Sequence, residues 1–316
     1  MTKPRPQPNP LPAWSGRQWL AWSAVAVLGL AAALLAQTRP PARGLFLQLN
    51  QWASACPPAL WVFLTQLGEA GVLFLVLSPL LLWRPQAMFA VLAAVPLGGL
   101  FSVACKALFN APRPATVLDA AQIHVIGPLL NNLSFPSGHS ITAFAAAAAV
   151  LACLAPGRMD AASAGPSAGR PPDGSVDRPV ARPATMIVLP ALFVAPVVGL
   201  AALVGFSRIA VGAHWPVDVL AGASGGWLAG LSGAWATRRF PKLWQSPVSQ
   251  FLLGQGLLVT ALWLFWRPIE YPHGAVAVAL ALACVLVTLV GQWRATWRRL
   301  GQNAAARANN PNLPMK

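Results

Sequence analysis

Two histidines of this chain lie in short polar segments at the edges of apolar runs, next to side chains that carry charge. Residues 136–139 (PSGH) open one run, and Ser207-Arg208 is followed by His214 and Asp218 where another begins. An imidazole can act as a nucleophile or as a general acid, and a guanidinium binds oxyanions. This combination predicts chemistry on a phosphate group.

A third segment adds Lys106 and Arg113-Pro114. On one helix, seven positions would place the two cations on the same face about two turns apart, and Pro114 would end that helix. Lys106 stands beside an apolar run, where an ionisable group is costly and usually functional. We expect both cations to bind the same oxyanion. The alternative is that they only anchor a helix end at the membrane surface.

The segment 136–139 predicts the start of a helix at which an anion binds. Gly138 permits close approach of the backbone, and the N–H groups of a first helical turn have no partner within the helix. The alternative is an ordinary helix start, capped by Ser137 or Ser140, with His139 reaching towards the membrane interface.

The pair of His214 and Asp218 has a spacing of four residues, which brings a carboxylate beside an imidazole on one helix. Pro216 between them suits the first turn of that helix. The carboxylate would fix the tautomer of His214, stabilise its cationic form and leave the other ring nitrogen free to attack. Taken alone, such a pair is also compatible with a structural role.

The composition places these segments in a membrane protein. Of the 316 residues, 56% are hydrophobic and only 9% are charged, which is outside the range of soluble domains. We predict an all-α, polytopic membrane helix bundle, in which the first span is a retained helix and not a cleaved signal peptide. The second span is expected to break near Gly68-Glu69. Runs long enough to cross a bilayer occur at about 18–37, 59–83, 87–109, 139–154, 185–206, 214–235, 251–265 and 274–293.

The net charge of +15 does not indicate nucleic-acid binding, because the basic residues are dispersed among the segments between spans. Most of the 22 Lys and Arg residues fall in segments that share one face if both termini are cytoplasmic. The positive-inside bias therefore predicts that both termini are cytoplasmic. The three polar segments described above are then expected on the opposite face of the membrane. The four scattered cysteines indicate neither a zinc site nor a disulfide framework.

The chain divides by composition into four parts. Residues 1–17 form a cytoplasmic tail, and 18–237 form a six-helix core interrupted by a mobile cytoplasmic insert rich in Pro, Gly, Ser and Ala at 156–184. Residues 238–293 hold two additional spans, and 294–316 form a basic cytoplasmic tail. The small residues Gly222, Gly226 and Gly230 predict close helix packing within the bundle.

Together, the motifs Lys106-x6-Arg113-Pro114, PSGH at 136–139 and Ser207-Arg208-x5-His214-x3-Asp218 resemble the three-part signature of the type 2 phosphatidic acid phosphatase superfamily. The likeness covers roughly residues 55–235. It implies a six-helix core, catalysis without a metal or another cofactor, and a phosphohistidine intermediate. The last two spans and the insert lie beyond this core, and neither is expected to touch the motif set.

The resemblance implies a role for each matching residue. His214 would attack phosphorus, Asp218 would orient it, and His139 would protonate the departing oxygen and then activate water. Lys106, Arg113, Arg208 and the backbone at Ser137 and Gly138 would hold the phosphoryl oxygens. Pro114 and Ser207 would support them.

Glu69 is an acid within an apolar run, where it is costly unless it faces a cavity or a partner. We expect it at the outer surface near the site, paired with a basic site residue or with the headgroup of the substrate. The alternative is an interfacial acid that only meets water.

These observations predict a metal-independent lipid phosphatase of a bacterial inner membrane, with its site facing the periplasm. The implied partners are a lipid substrate and the bilayer; the oligomeric state is left open. Candidate substrates are undecaprenyl diphosphate, phosphatidic acid, phosphatidylglycerol phosphate and a lipid A phosphate. The alternatives are a phosphotransferase that passes the same phosphoryl group to a lipid, and an anion transporter or channel lined by the cations.

Overall fold

The computed structural model of the chain describes residues 16–39, 42–154, 185–268, 271 and 274–309, and these fold into helices and connecting segments without strands. The predicted insert at 156–184 and residues 1–15 of the predicted tail lie outside the described residues. In chain order the helices are α1 (Gly16–Gln37), α2 (Arg43–Ala53), α3 (Pro58–Leu67), α4 (Ala70–Leu77), α5 (Leu80–Trp83), α6 (Pro85–Phe109), α7 (Pro114–Val117), α8 (Gly138–Leu154), α9 (Thr185–Ala210), α10 (Pro216–Arg239), α11 (Lys242–Gln245), α12 (Pro247–Trp266) and α13 (Ala275–Asn309).

Long apolar helices dominate this fold and confirm the prediction of an all-α membrane bundle. Five helices in the described part of the chain are long and apolar enough to cross a bilayer, and the bent pair of α3 and α4 makes a sixth. Helix α8 is equally apolar but has only 17 residues. Helix α10 is Gly-rich and largely buried, because it lies between α1, α6 and α8 at the centre of the bundle.

Close packing of α10 against α8 rests on three glycines. A Cβ atom at Gly222, Gly226 or Gly230 would lie within 2.5 Å of a backbone carbonyl oxygen at the start or along the body of α8. No side chain fits at such distances, so the two backbones meet directly, as the spacing of small residues predicts. The motif segments at the N-terminal ends of α8 and α10 are thereby held next to each other.

The second predicted span is broken at the predicted place. Helices α3 and α4 meet at an angle of 77°. Gly68 ends α3, and Glu69 adopts an extended conformation before α4 begins. The break leaves the Glu69 side chain between two helix ends at the level of the motif segments.

Two features of the fold differ from the sequence expectations. Helix α6 ends at Phe109, because Asn110 takes a left-handed conformation (φ 43°). Lys106 and Arg113 therefore do not share a helical face, and Arg113 lies in the connection to α7. Helix α2 is an element that hydropathy does not predict, since its 11 residues include several polar side chains and only one face is buried.

Helices α12 and α13 pack against each other as a C-terminal hairpin. Helix α13 continues to Asn309, past the predicted end of the last span and into the predicted basic tail. The hairpin packs against α3, α4 and α5. Its connecting segment consequently lies beside the break between α3 and α4.

Candidate active site

The motif segments converge at one end of the bundle. The N–H of Ser137 donates to the carbonyl oxygen of Asp218 (3.0 Å), which ties the segment before α8 to the first turn of α10. The carbonyl oxygen of Arg208 accepts from the N–H groups of Ala213 and His214 at 3.0 and 3.1 Å. These bonds close a compact turn between α9 and α10 and bring both histidine segments to the same place.

His214 lies in this turn and not on the helix that the sequence predicts, although its partner is the predicted one. The ring is 2% exposed, and its Nδ1 lies 3.3 Å from Oδ2 of Asp218. Its Nε2 lies 3.0 Å from Nη1 of Arg113. Because a guanidinium only donates, Nε2 must be the acceptor and Nδ1 must carry the proton towards Asp218. The ring is thus held in the tautomer whose free lone pair is on Nε2.

The surroundings of His214 favour the neutral form of its ring. Burial, followed by the positive charges of Arg113 and Arg208, lowers the pKa of His214 well below the ordinary value of 6.5. A neutral imidazole is the form that can act as a nucleophile.

Asp218 is fully buried and is held by more than the imidazole. Its Oδ2 accepts from the N–H of Trp215 (2.9 Å) and from the hydroxyl of Ser134 (2.5 Å). Oδ1 has no partner among the described residues. Ser134 is a site residue that sequence reasoning missed, since a lone serine in a connection carries no signal of its own.

The side chain of His139 lies in the first turn of α8 and is partly exposed. A Cβ atom added at Gly68 would lie 2.9 Å from Cβ of His139, so the break between α3 and α4 packs directly on this residue. The ring makes no hydrogen bond to the described residues, and it is close enough to His214 for electrostatic interaction. The two imidazoles therefore belong to one site.

Arg113 is 5% exposed, and each nitrogen of its guanidinium contacts an acceptor of the protein. Its Nε donates to the carbonyl oxygen and to Oδ1 of Asn132 at 3.0 and 2.8 Å, and its Nη1 donates to the carbonyl oxygen of Ala213 at 2.7 Å. Nη2 makes a longer contact with the carbonyl oxygen of Leu133 (3.4 Å). Arg113 thus fixes the connection after α7 to the turn that carries His214.

Arg208 is 2% exposed, and its guanidinium is held at one end only. Its Nη1 donates to the hydroxyl oxygens of Thr65 and Tyr271, the latter at 3.4 Å. Tyr271 belongs to the connection between α12 and α13. The expectation that the last two spans leave the motif set untouched is therefore wrong, since hydropathy carries no information on what a connecting segment contacts.

The other residues that the sequence predicts for the site differ from one another in burial and in their partners. Lys106 is half-buried and makes no hydrogen bond or ion pair within the described ranges. Glu69 lies near the site as expected, but both of its carboxylate oxygens pair with Arg267 and not with a motif cation. The hydroxyl of Ser207 donates to the carbonyl oxygen of Val204 in its own helix (2.6 Å). Pro114 is the buried first residue of α7.

Acidic and metal-ligating side chains are few in this region. The described residues contain no group of three His, Cys, Asp or Glu side chains placed to hold one metal ion. Among the described residues, the charged groups around the two imidazoles include the cations Lys106, Arg113, Arg208 and Arg267 and the carboxylate of Asp218. This surplus of positive charge suits a phosphate dianion.

Comparison with known proteins assigns the family. The chain belongs to the PAP2 superfamily, whose family model matches residues 87–244, half of the chain. It is therefore a membrane phosphatase of that superfamily.

The chain is also similar to LpxE of Aquifex aeolicus. The crystal structure of that protein aligns with 60% of this chain and 92% of its own, at 27% sequence identity and a TM-score of 0.41. No curated protein matches the sequence.

Proposed function

We propose that this protein hydrolyses the phosphate ester or diphosphate of a membrane lipid, without a metal, through a phosphohistidine on His214. The single observation that carries the proposal is the arrangement of that ring. Asp218 and Arg113 hold Nε2 as an unprotonated, buried lone pair among cations. An unprotonated ring nitrogen in this position supports a nucleophilic role for His214.

The first step forms a bond from Nε2 of His214 to phosphorus and breaks the bond from phosphorus to the oxygen of the lipid. His139 gives its proton to that departing oxygen. Lys106 and Arg208 neutralise the charge on the phosphoryl oxygens, with the backbone N–H groups at the start of α8 as further donors. Arg113 releases Nε2 when the phosphoryl group arrives.

The second step restores the enzyme. A water molecule attacks phosphorus and gives a proton to His139, while the bond to Nε2 of His214 breaks and inorganic phosphate leaves. His139 is thereby acid in one step and base in the other. The proton on Nδ1 stays directed at Asp218 throughout, which stabilises the ring as it becomes positively charged.

A lipid substrate is supported by a cavity next to the start of α8. It lies between α4, α6 and α8, has a volume of about 240 Å³, and is lined in part by Gly138. The side chains along it are mostly apolar, and they include Phe74, Val91 and Ile141. A phosphate held at the start of α8 would place the chain attached to it in this cavity.

The distribution of charge supports one orientation in the membrane. The positive-inside bias supports cytoplasmic termini and a site on the periplasmic face of a bacterial inner membrane. The substrate would then enter sideways from the outer leaflet. Lipids of the four classes named above all present a terminal phosphate to such a site.

The experiment that tests the proposal measures phosphate release by the purified protein from each candidate lipid in detergent. We expect release by the natural chain and none by His214→Ala, and incorporation of label from a radioactive lipid phosphate into an acid-labile, base-stable adduct. Label that appears only on an added acceptor lipid would instead identify a phosphotransferase. Full release by His214→Ala would refute the proposal.

A further inference from the structure

The guanidinium of Arg208 is anchored through a single nitrogen. Nη1 donates to the hydroxyls of Thr65 and Tyr271. Nε is buried and has no partner, and Nη2 makes no hydrogen bond to any described residue. A buried arginine donor that lacks an acceptor is costly, so a ligand is expected to supply one.

The two unpaired nitrogens share one edge of the guanidinium. Their N–H groups point the same way and match the spacing of two oxygens on a phosphate or carboxylate. Arg113 offers no such edge, because Asn132, Leu133 and Ala213 occupy its donors. Arg208 is therefore the arginine of this site that can bind a phosphoryl group through two parallel bonds.

The two hydroxyls come from parts of the chain outside the segment that matches the family. Thr65 is a fully buried residue of α3, and Tyr271 lies in the connection between α12 and α13. The Tyr271 ring packs on Gly127, where φ is +90° and an added Cβ would lie 2.4 Å from two ring atoms. The phenol is thus fixed by close packing, and its oxygen is brought to Nη1 of Arg208.

We propose that Thr65 and Tyr271 are positioning residues, which turn the free edge of Arg208 towards two oxygens of the phosphoryl group. The inference rests on the proposed function, since it concerns the same phosphate. The C-terminal hairpin then contributes Tyr271 to the active site. Removing either hydroxyl keeps the positive charge of Arg208 but leaves its guanidinium less firmly oriented.

The test uses the purified full-length chain in detergent and inorganic phosphate as the probe. Tyr271→Phe keeps the ring on Gly127, and Thr65→Val keeps the volume of the side chain. We expect each change to weaken phosphate binding about 10-fold, the effect of one lost hydrogen bond to a charged group. The melting temperature should stay within a few degrees of that of the natural chain, whereas kcat/KM for the lipid should fall by a similar factor.

Matched variants separate positioning from packing. Thr65→Ser restores a hydroxyl and should bind phosphate almost as the natural chain does. Thr260→Val removes an exposed hydroxyl that bonds only within α12 and should change nothing. In an Arg208→Ala background, Tyr271→Phe should have no further effect, because the phenol acts through that arginine.

Three outcomes would overturn the inference: phosphate affinity unchanged in both Tyr271→Phe and Thr65→Val, losses that persist in the Arg208→Ala background, or a lowered melting temperature with intact affinity. Failure of the proposed function is seen separately. It would appear as phosphate release by His214→Ala, while the binding measurements require no turnover.

Discussion

Nη1 of Arg113 lies 3.0 Å from Nε2 of His214, so the nitrogen proposed to attack phosphorus is covered by a cation. The contact keeps the lone pair of the imidazole in place and its proton on the far side of the ring, facing Asp218. Because the same Nη1 also donates to the carbonyl oxygen of Ala213, it needs only a small movement to meet a phosphoryl oxygen instead. In the proposed mechanism, Arg113 thus contacts first Nε2 of His214 and then a phosphoryl oxygen.

Arg113→Lys should lower kcat/KM for the lipid by about 10²–10³-fold, the usual cost of losing one preorganised donor to developing charge. A lysine carries the charge but cannot reach Asn132, Ala213 and the phosphoryl group together. Steady-state kinetics on the best lipid of the panel would measure the loss. Arg43→Lys at the exposed start of α2 is the matched control, and an equal loss there would contradict the assignment.

Asp218→Asn should reduce kcat by about 10²–10⁴-fold while the protein remains folded, because an amide no longer enforces the tautomer with a free Nε2. Ser134→Ala removes one donor to the carboxylate and should cost less, about 10-fold. Single-turnover formation of the labelled phosphoenzyme would report the effect on the first step. A normal rate of labelling in Asp218→Asn would exclude an orienting role.

The His214 ring should remain neutral in the folded protein below pH 6.5, since burial and two guanidinium groups lower its pKa. In the unfolded chain the same ring takes up a proton near pH 6.5. This histidine therefore contributes stability that is present above about pH 6.5 and is lost as the pH falls. NMR titration of the ring, assigned with His214→Gln, should show no protonation between pH 7.5 and 6.5.

Gly226→Ala should destabilise the bundle strongly, because the new methyl would lie 2.3 Å from the carbonyl oxygen of Ile141 and force α8 and α10 apart. We expect a loss of about 1–3 kcal/mol, typical of overpacking, together with reduced activity. Gly256→Ala, where α12 has open space, should be neutral or slightly stabilising. Thermal unfolding in detergent compares the two, and equal melting temperatures would refute direct backbone contact.

Glu69→Gln should release Arg267 and loosen the connection of the hairpin to the break beside His139. We expect activity to fall about 3- to 10-fold, with no added loss when Arg267→Gln is combined with it, since residues of one pair are not additive. A change in preference among the lipid classes would assign Glu69 to substrate selection. Unchanged turnover and preference in the single variant would leave the pair without a role in the reaction.

Sequence patterns predicted the helices that cross the membrane and the meeting of His214, Asp218, His139 and Arg208, because both depend on local periodicity and on motif spacing. Contacts made by isolated residues in connections could not be predicted in this way. Ser134 and Asn132 complete the site through segments without regular structure. Tyr271 reaches it from the connection between α12 and α13, which lies outside the three motifs.

The span predicted at 87–109 ends where α6 ends, but the position of Arg113 was predicted wrongly for a related reason. The shared face of Lys106 and Arg113 assumes that the helix continues to Pro114. A left-handed Asn110 ends it four residues earlier, and this change of direction is what turns Arg113 towards His214. The backbone conformation of one residue, which hydropathy does not reveal, thus decides which partner Arg113 meets.

The place of Tyr271 has a consequence for biosynthesis. Arg208 and its motif leave the ribosome long before the phenol does, since 63 residues separate the two partners. A nascent chain that has been made as far as α10 holds all the signature residues, but its Arg208 lacks the hydrogen bond to Tyr271. Full affinity for phosphate would then require that the hairpin of α12 and α13 has joined the bundle, and a chain without it would bind phosphate more weakly.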